Sequence, residues 1–328
     1  MSKYLLLAFG ILLALMIACG GVSTTLTNPT PVTPTNPPTP PPQITPGASK
    51  IAYLNMAPDE YTSTINVMDS NAAASDPVTA HGQLYSAHST PDGSVVVYSE
   101  YLPAVGEPRV FLWDRVNGDP FNHVQLSPSG RWSVDAQISS DGTKVLYNSV
   151  FDGIYIVNAD GSGRTRVPGL ENYCIHSPSL SPDATKIVFS YHEIDGNVYW
   201  LKFKLGIVNT DGSEFRTIPI PDEIDAILDP TMSDNRVFYS KSVTGGWQIH
   251  SANLDGTDEK VLTTTTTDGN FDPTYIDGRI LFLARPAGSY SYLMRSMNLD
   301  GTDLKTLHPR AGSNYFHVLN STDFWGAP

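Results

Sequence analysis

Beyond residue 49 the chain alternates short apolar runs with polar turns, and one arrangement recurs. Val95-Val96-Val97-Tyr98, Lys144-Val145-Leu146-Tyr147, Lys186-Ile187-Val188-Phe189, Arg236-Val237-Phe238-Tyr239 and Arg279-Ile280-Leu281-Phe282 share one pattern, and Lys50-Ile51-Ala52-Tyr53 matches them. The first five follow a polar turn: Ser89-Thr90-Pro91-Asp92-Gly93, Ser139-Ser140-Asp141-Gly142, Ser181-Pro182-Asp183-Ala184, Ser233-Asp234-Asn235 and Ile276-Asp277-Gly278. A second, alternating run closes on an Asn-x-Asp-Gly turn, ending at Gly161, Gly212, Gly256 and Gly301. Asp-Gly between alternating runs predicts a hairpin, because glycine supplies the positive φ that a tight turn between twisted strands requires. A short strand such as Lys260-Val261-Leu262 then completes a unit of about 45 residues, the length of one four-stranded propeller blade.

Six such units predict an all-β chain: a six-bladed β-propeller of four-stranded antiparallel blades. The domain starts at the second strand of a blade, and Asn314 to Asp323 reads as one more first strand. Pairing Tyr315–Leu319 with Ile51–Leu54 would let the C-terminal strand close the ring and leave no sheet edge open.

The repeat resembles that of the TolB family, a WD40-like (PD40) propeller repeat in which a Pro-x-aromatic-Ser-Pro-Asp-Gly turn precedes Lys-Ile-Ala-Phe. Pro178 to Asp183 is a near copy, and Pro230 to Asp234 and Pro273 to Asp277 keep the proline and aspartate. The resemblance runs from Lys50 to Trp325 and implies the propeller fold. That family carries an α/β domain before its propeller, whereas residues 19–49 occupy that place here, so the resemblance does not imply a Tol-Pal role.

The N-terminal residues differ in composition. Lys3 precedes an apolar run from Tyr4 to Ile17 that is too short for a stable membrane span, the pattern of a secretion signal. Met16-Ile17-Ala18-Cys19 resembles a bacterial lipobox, which implies a lipoprotein signal peptide over residues 1–18 and a lipidated Cys19. Residues 19–49, rich in Pro and Thr, cannot bury enough apolar surface to fold and read as a disordered tether. In polyproline II such a tether reaches roughly 80 Å. The expected domains are therefore signal 1–18, tether 19–49 and propeller 50–328, placed outside the cytoplasm. The membrane contact is the lipid anchor alone, at an outer-membrane, periplasmic or surface site.

A net charge of −13 excludes nucleic acid and other polyanions as partners. The chain has two cysteines. With Cys19 lipidated, Cys174 has no intrachain partner and reads as a buried, inert thiol.

In each blade the first-to-second and third-to-fourth turns share one face, and both repeated Asp-Gly turns fall there, where their carboxylates form turns. The opposite face carries loops that vary from blade to blade, as a binding face does. Its longest insertion holds Tyr191, His192, Glu193, Tyr199 and Trp200, and Trp247 belongs to an equivalent loop. Such residues suit a peptide hot spot or sugar stacking. Alignment of the first strands on their turn aspartates puts Ser86, Asp135, Ser177, Asp229, Asp272 and His317 at one level of the channel mouth, with His176 beside them. Three carboxylates and an imidazole there could hold a divalent cation or a cationic ligand group.

Gly-x-Ser-x-Gly, His-Glu-x-x-His and a phosphate-binding glycine loop are absent from the sequence. The leading expectation is an envelope lipoprotein that binds a protein or peptide through the variable face and channel mouth, with no catalytic residues and no obligatory cofactor. A carbohydrate-binding module is the alternative. A metal-dependent lyase of the oligogalacturonate type, with His176 and His317 as ligands, is third.

Overall fold

The computed structural model describes residues 50–56, 63–69, 75–81, 83–116, 123–150, 152–193, 203–220, 227–244, 246–264, 269–288, 292–308 and 317–318. The chain opens with β1 (Lys50–Met56), β2 (Ser63–Asp69) and β3 (Ser75–His81). Five blades of four consecutive strands follow. They are β4 (Leu84–Ser89), β5 (Val95–Leu102), β6 (Glu107–Asp114) and β7 (Val124–Gln125); β8 (Ser133–Ile138), β9 (Lys144–Ser149), β10 (Gly153–Asn158) and β11 (Thr165–Arg166); and β12 (Tyr173–Leu180), β13 (Lys186–Glu193), β14 (Lys204–Asn209) and β15 (Arg216–Ile218). Next come β16 (Ile227–Met232), β17 (Arg236–Val243), β18 (Gly246–Asn253) and β19 (Lys260–Val261), then β20 (Gly269–Ile276), β21 (Arg279–Arg285), β22 (Leu293–Asn298) and β23 (Lys305–His308). Every pairing is antiparallel between neighbours in sequence, except that β24 (His317–Val318) returns to β1.

The second strand of each blade carries a run of consecutive apolar residues because both its faces are covered by neighbouring sheets. In β9, Val145 and Tyr147 pack with Val97, Val110 and Leu112 of the preceding blade, while Leu146 packs with Ile187 and Phe189 of the next. The same alternation places Val188 with Val237 and Tyr239, and Phe238 with Ile280 and Phe282. The core is thus a series of apolar layers between blades, which is why a period-2 strand reads as a continuous hydrophobic run.

The expected six-bladed ring closed by the C-terminal strand is corrected. The chain forms five complete blades of consecutive strands, and no sheet is closed on itself by hydrogen bonds. The first sheet is a composite of β1, β2 and β3 with the pairs Leu54↔Val318 and Asn55↔His317, and the rest of the strand expected from Tyr315–Leu319 lies outside the described residues. This sheet meets its neighbours through apolar packing. Ala52, Leu54, Ile65 and Val67 lie against Val96, Tyr98 and Trp113, and Ile51, Tyr53 and Met68 against Leu281, Leu283 and Met294. Sheets packed face to face stand about 10 Å apart, too far for ladder hydrogen bonds, so side chains rather than backbone join them.

Candidate functional site

The face that carries the repeated turns is held by local hydrogen bonds. Asp183 accepts from the Ser181 hydroxyl (2.6 Å) and the Thr185 backbone N–H (3.1 Å), and Asp141 repeats this with Ser139 and Thr143. In the Asn-x-Asp-Gly turns Asp160, Asp211, Asp255 and Asp300 each accept from the hydroxyl two residues on, at 2.6 Å. These hydroxyl and N–H donors hold the carboxyls below the usual aspartate range. The asparagine of the same motif ties it to the second strand: Lys186 Nζ donates to Asn209 Oδ1 (2.8 Å), as Arg236 does to Asn253 (2.8 Å) and Arg279 to Asn298 (2.7 Å). The two halves of the sequence repeat are one hydrogen-bonded unit, and their aspartates form turns as the sequence indicates.

The aligned inner-strand positions share a backbone feature that the sequence does not announce. Asp135, Ser177, Asp229 and Asp272 all adopt positive φ (53°, 44°, 51° and 55°). At each of them the pairing of first and second strand skips, between Val134 and Gln137, His176 and Ser179, Leu228 and Thr231, and Phe271 and Thr274. Proline or alanine follows, and proline costs no ladder bond where the ladder is already broken. At the skips, hydrogen bonds run both within a blade and between neighbouring blades. Ser177 Oγ donates to Asp229 Oδ1 (3.1 Å), Ser240 Oγ donates to Asp229 Oδ2 (3.4 Å), and the Asp272 N–H donates to Ser240 Oγ (3.1 Å). Between earlier blades, Ser86 Oγ accepts from the Ala136 N–H (3.0 Å) and Asn148 Nδ2 donates to the Ile175 carbonyl (3.2 Å), while within its own blade Asn148 Nδ2 also donates to Asp135 Oδ2 (3.4 Å). Gln137 joins Leu180 N–H (3.0 Å) to the Pro178 carbonyl (3.3 Å). Asp135, Asp229 and Asp272 are 1, 7 and 3% exposed. They form a buried belt that sews inner strands together, and their carboxylates do not gather into a metal-sized cluster.

His317 lies two residues short of this belt. Its pairing with Asn55 puts Val318 opposite Leu54, in the place that Leu228 takes opposite Ser240. The side chain of His317 lies outside the described residues, as do Cys19, Tyr199 and Trp200.

On the variable face two clusters stand out. In the first, Cys174 and His192 are direct cross-strand partners on β12 and β13, and His176, two residues along, shares their side of the sheet. Their ligand atoms lie within 4.8 Å of one another, and among the described residues this is the group of three that could hold a metal ion. The two imidazoles stack at 5.3 Å, and Phe203 meets both edge-on, at 5.1 and 5.6 Å. His176 Nε2 is buried without a hydrogen-bond partner. Burial, helped by His192, pushes the His176 pKa down to about 3. Cys174 departs from its expected state: it is disulfide-bonded rather than a thiol. The sequence holds one other cysteine, Cys19, outside the described residues.

The second cluster joins two blades. Trp247 lies 5.8 Å from Phe271, Phe271 lies 6.1 Å from Tyr292, and the Arg285 guanidinium stands 5.9 Å over the Phe271 ring. All four are half-buried. Of the other loop residues singled out in the sequence, Tyr191 is buried in the core with its hydroxyl on Thr217 (2.6 Å), and Glu193 is exposed in an ion pair with Lys204 (2.7 Å). Sequence reading missed Cys174, Phe203, Phe271 and Arg285. Cys-x-His on one strand opposite a histidine was the available signal for the first pair, and nothing in the repeat marks the others.

No protein-family model matches the sequence, and no curated protein matches it. Solved structures do. A TolB, described as putative, from Agrobacterium tumefaciens superposes with a TM-score of 0.57 at 16% identity, over 84% of this chain and 91% of that one. TolB from Acinetobacter baumannii gives 0.62 at 15%, over 81% of this chain and 65% of that one. An oligogalacturonate lyase in complex with manganese gives 0.53 at 14%, over 79% and 73%. The chain is a β-propeller structurally related to TolB-like propellers. At these identities the likeness shows the fold alone.

Proposed function

We propose that this chain is an extracytoplasmic lipoprotein, anchored through Cys19, whose propeller binds a protein or peptide on its variable loop face. The observation that carries the reading is the Trp247, Phe271, Tyr292 and Arg285 cluster. Half-buried aromatic rings beside a guanidinium, on the face where blades differ, have the composition of a binding hot spot. The TolB-like fold supports a protein partner and an extracytoplasmic place. A carbohydrate would use the same rings by stacking. The lyase reading gains less support, because two imidazoles and a sulfur suit zinc or copper, whereas manganese prefers carboxylate, carbonyl and water oxygen.

The lipid and the disulfide exclude each other on one sulfur. A thioether at Cys19 leaves Cys174 a thiol, so thiol labelling of the membrane-bound protein reports which chemistry it carries. Cys19→Ala is expected to leave the protein secreted and absent from washed membranes; retention there would refute the anchor. For the binding face, full-length protein and its Trp247→Ala variant are cross-linked in envelope extract and also applied to a glycan array. The variant is expected to lose its captured protein about 30-fold in affinity with its melting temperature nearly unchanged. Equal capture by both proteins would overturn the docking face, and glycan binding alone would select the carbohydrate alternative.

A further inference from the structure

Going beyond the docking reading, we propose that Cys174, His176 and His192 form a transition-metal site for a zinc-like ion when Cys174 is a thiol. Strand geometry builds it: a direct cross-strand pair, Cys174 and His192, with His176 at the next position on the same side. The three ligand atoms already stand within 4.8 Å of one another. Tetrahedral zinc with two nitrogens and one sulfur needs about 3.5 Å between ligands, so side-chain rotations of the order of 1 Å complete the site.

Two further observations point to a ligand. His176 Nε2 is buried with no hydrogen-bond partner, an arrangement that a metal bond would satisfy. Phe203 packs on both imidazoles and fixes their planes. Three protein ligands leave a fourth position for water or an incoming side chain.

With Cys19 lipidated Cys174 is already a thiol, whereas in the disulfide-bonded form reduction must come before metal binding. A dithiol breaks the S–S bond, passing two electrons and two protons to the sulfurs while it is itself oxidised to a disulfide. Metal binding then displaces the thiol proton from Cys174.

The test uses the full chain with Cys19→Ser, which leaves Cys174 as the single cysteine, kept under a phosphine reductant. Titration with cobalt(II) is expected to give one equivalent bound and a sulfur-to-metal charge-transfer band in the near ultraviolet. Zinc is expected to displace cobalt and to raise the melting temperature by mass action. Cys174→Ser should abolish the band, and His192→Ala, at the strand end, should weaken binding by about 100-fold or more while the protein still melts cooperatively. Absence of the band and of any zinc-dependent shift in the reduced chain would overturn the proposal. So would parent-like affinity in both variants, which would place the ion elsewhere. Neither result depends on whether the loop face binds a protein.

Discussion

The two faces of this propeller are built from the same blades and obey different rules. On the turn face four of the blades repeat one solution: a Lys or Arg bonded to an Asn, and an Asp that caps its own turn. On the loop face no two blades agree. There β12 and β13 bring together a sulfur and two imidazoles, while β20 and its neighbours present aromatic rings and a guanidinium. Repetition marks what every blade needs in order to fold and pack, and departure from it marks residues that the fold does not require.

If that contrast is right, turn-face substitutions cost stability, and the largest loss is expected at Gly256. Its φ is +84°, and a Cβ there would stand 2.2 Å from the Pro219 carbonyl oxygen of the preceding blade. Gly256→Ala should therefore cost about 4 kcal/mol, combining positive-φ strain with a forced backbone shift. Gly278→Ala is the control: φ is +70° and nothing lies within 4 Å of the added Cβ, so about 1 kcal/mol is expected. Chemical denaturation of both variants checks the difference, and equal losses would show that inter-blade contact at the turn is unimportant.

The belt comes next. Asp229→Ala should cost about 3 kcal/mol, because alanine tolerates φ of 51° poorly and the Ser177 and Ser240 hydroxyls lose their acceptor. Asp229→Asn keeps an acceptor and the tolerance of left-handed backbone, so about 1 kcal/mol is expected. Near-neutral melting of the alanine variant would contradict a structural belt and return Asp229 to a ligand role.

The smallest effect per residue is electrostatic. The carboxyls of Asp160 and Asp183 are held below the aspartate range by hydroxyl and N–H donors. A depressed folded pKa stabilises the protein wherever the unfolded carboxyl is ionised, above about pH 3.9. That contribution is lost as pH falls through the folded values. The turn carboxylates' own contribution should therefore be flat from neutral pH to about 4 and fall below it, adding to the loss that buried, neutral His88 and His176 already cause as pH drops below about 6.5. Asp183→Asn should make the fall shallower, and an unchanged acid slope would remove the turn carboxylates as its cause.

The sequence by itself determined the strands and turns from which the blades are built, and not the number of complete blades or the closure. Six matching apolar runs, their turn aspartates and the Asn-x-Asp-Gly motifs are local: each reports the strand period or a turn's φ, and each appears in the structure where it was read. It also placed Asp135, Ser177, Asp229 and Asp272 at one equivalent level, since spacing from a turn is a local quantity too. Only the tertiary structure decided what those positions do, because the skips in the ladder and bonds such as Ser177 to Asp229 of the next blade join residues that are not local in sequence. His317 was misplaced by two residues because its register is set by pairing with β1, at the other end of the chain. His176 and His192, read from the sequence as parts of separate sites, became one cluster with Cys174 for the same reason: cross-strand pairing, not spacing along the chain, sets which side chains meet.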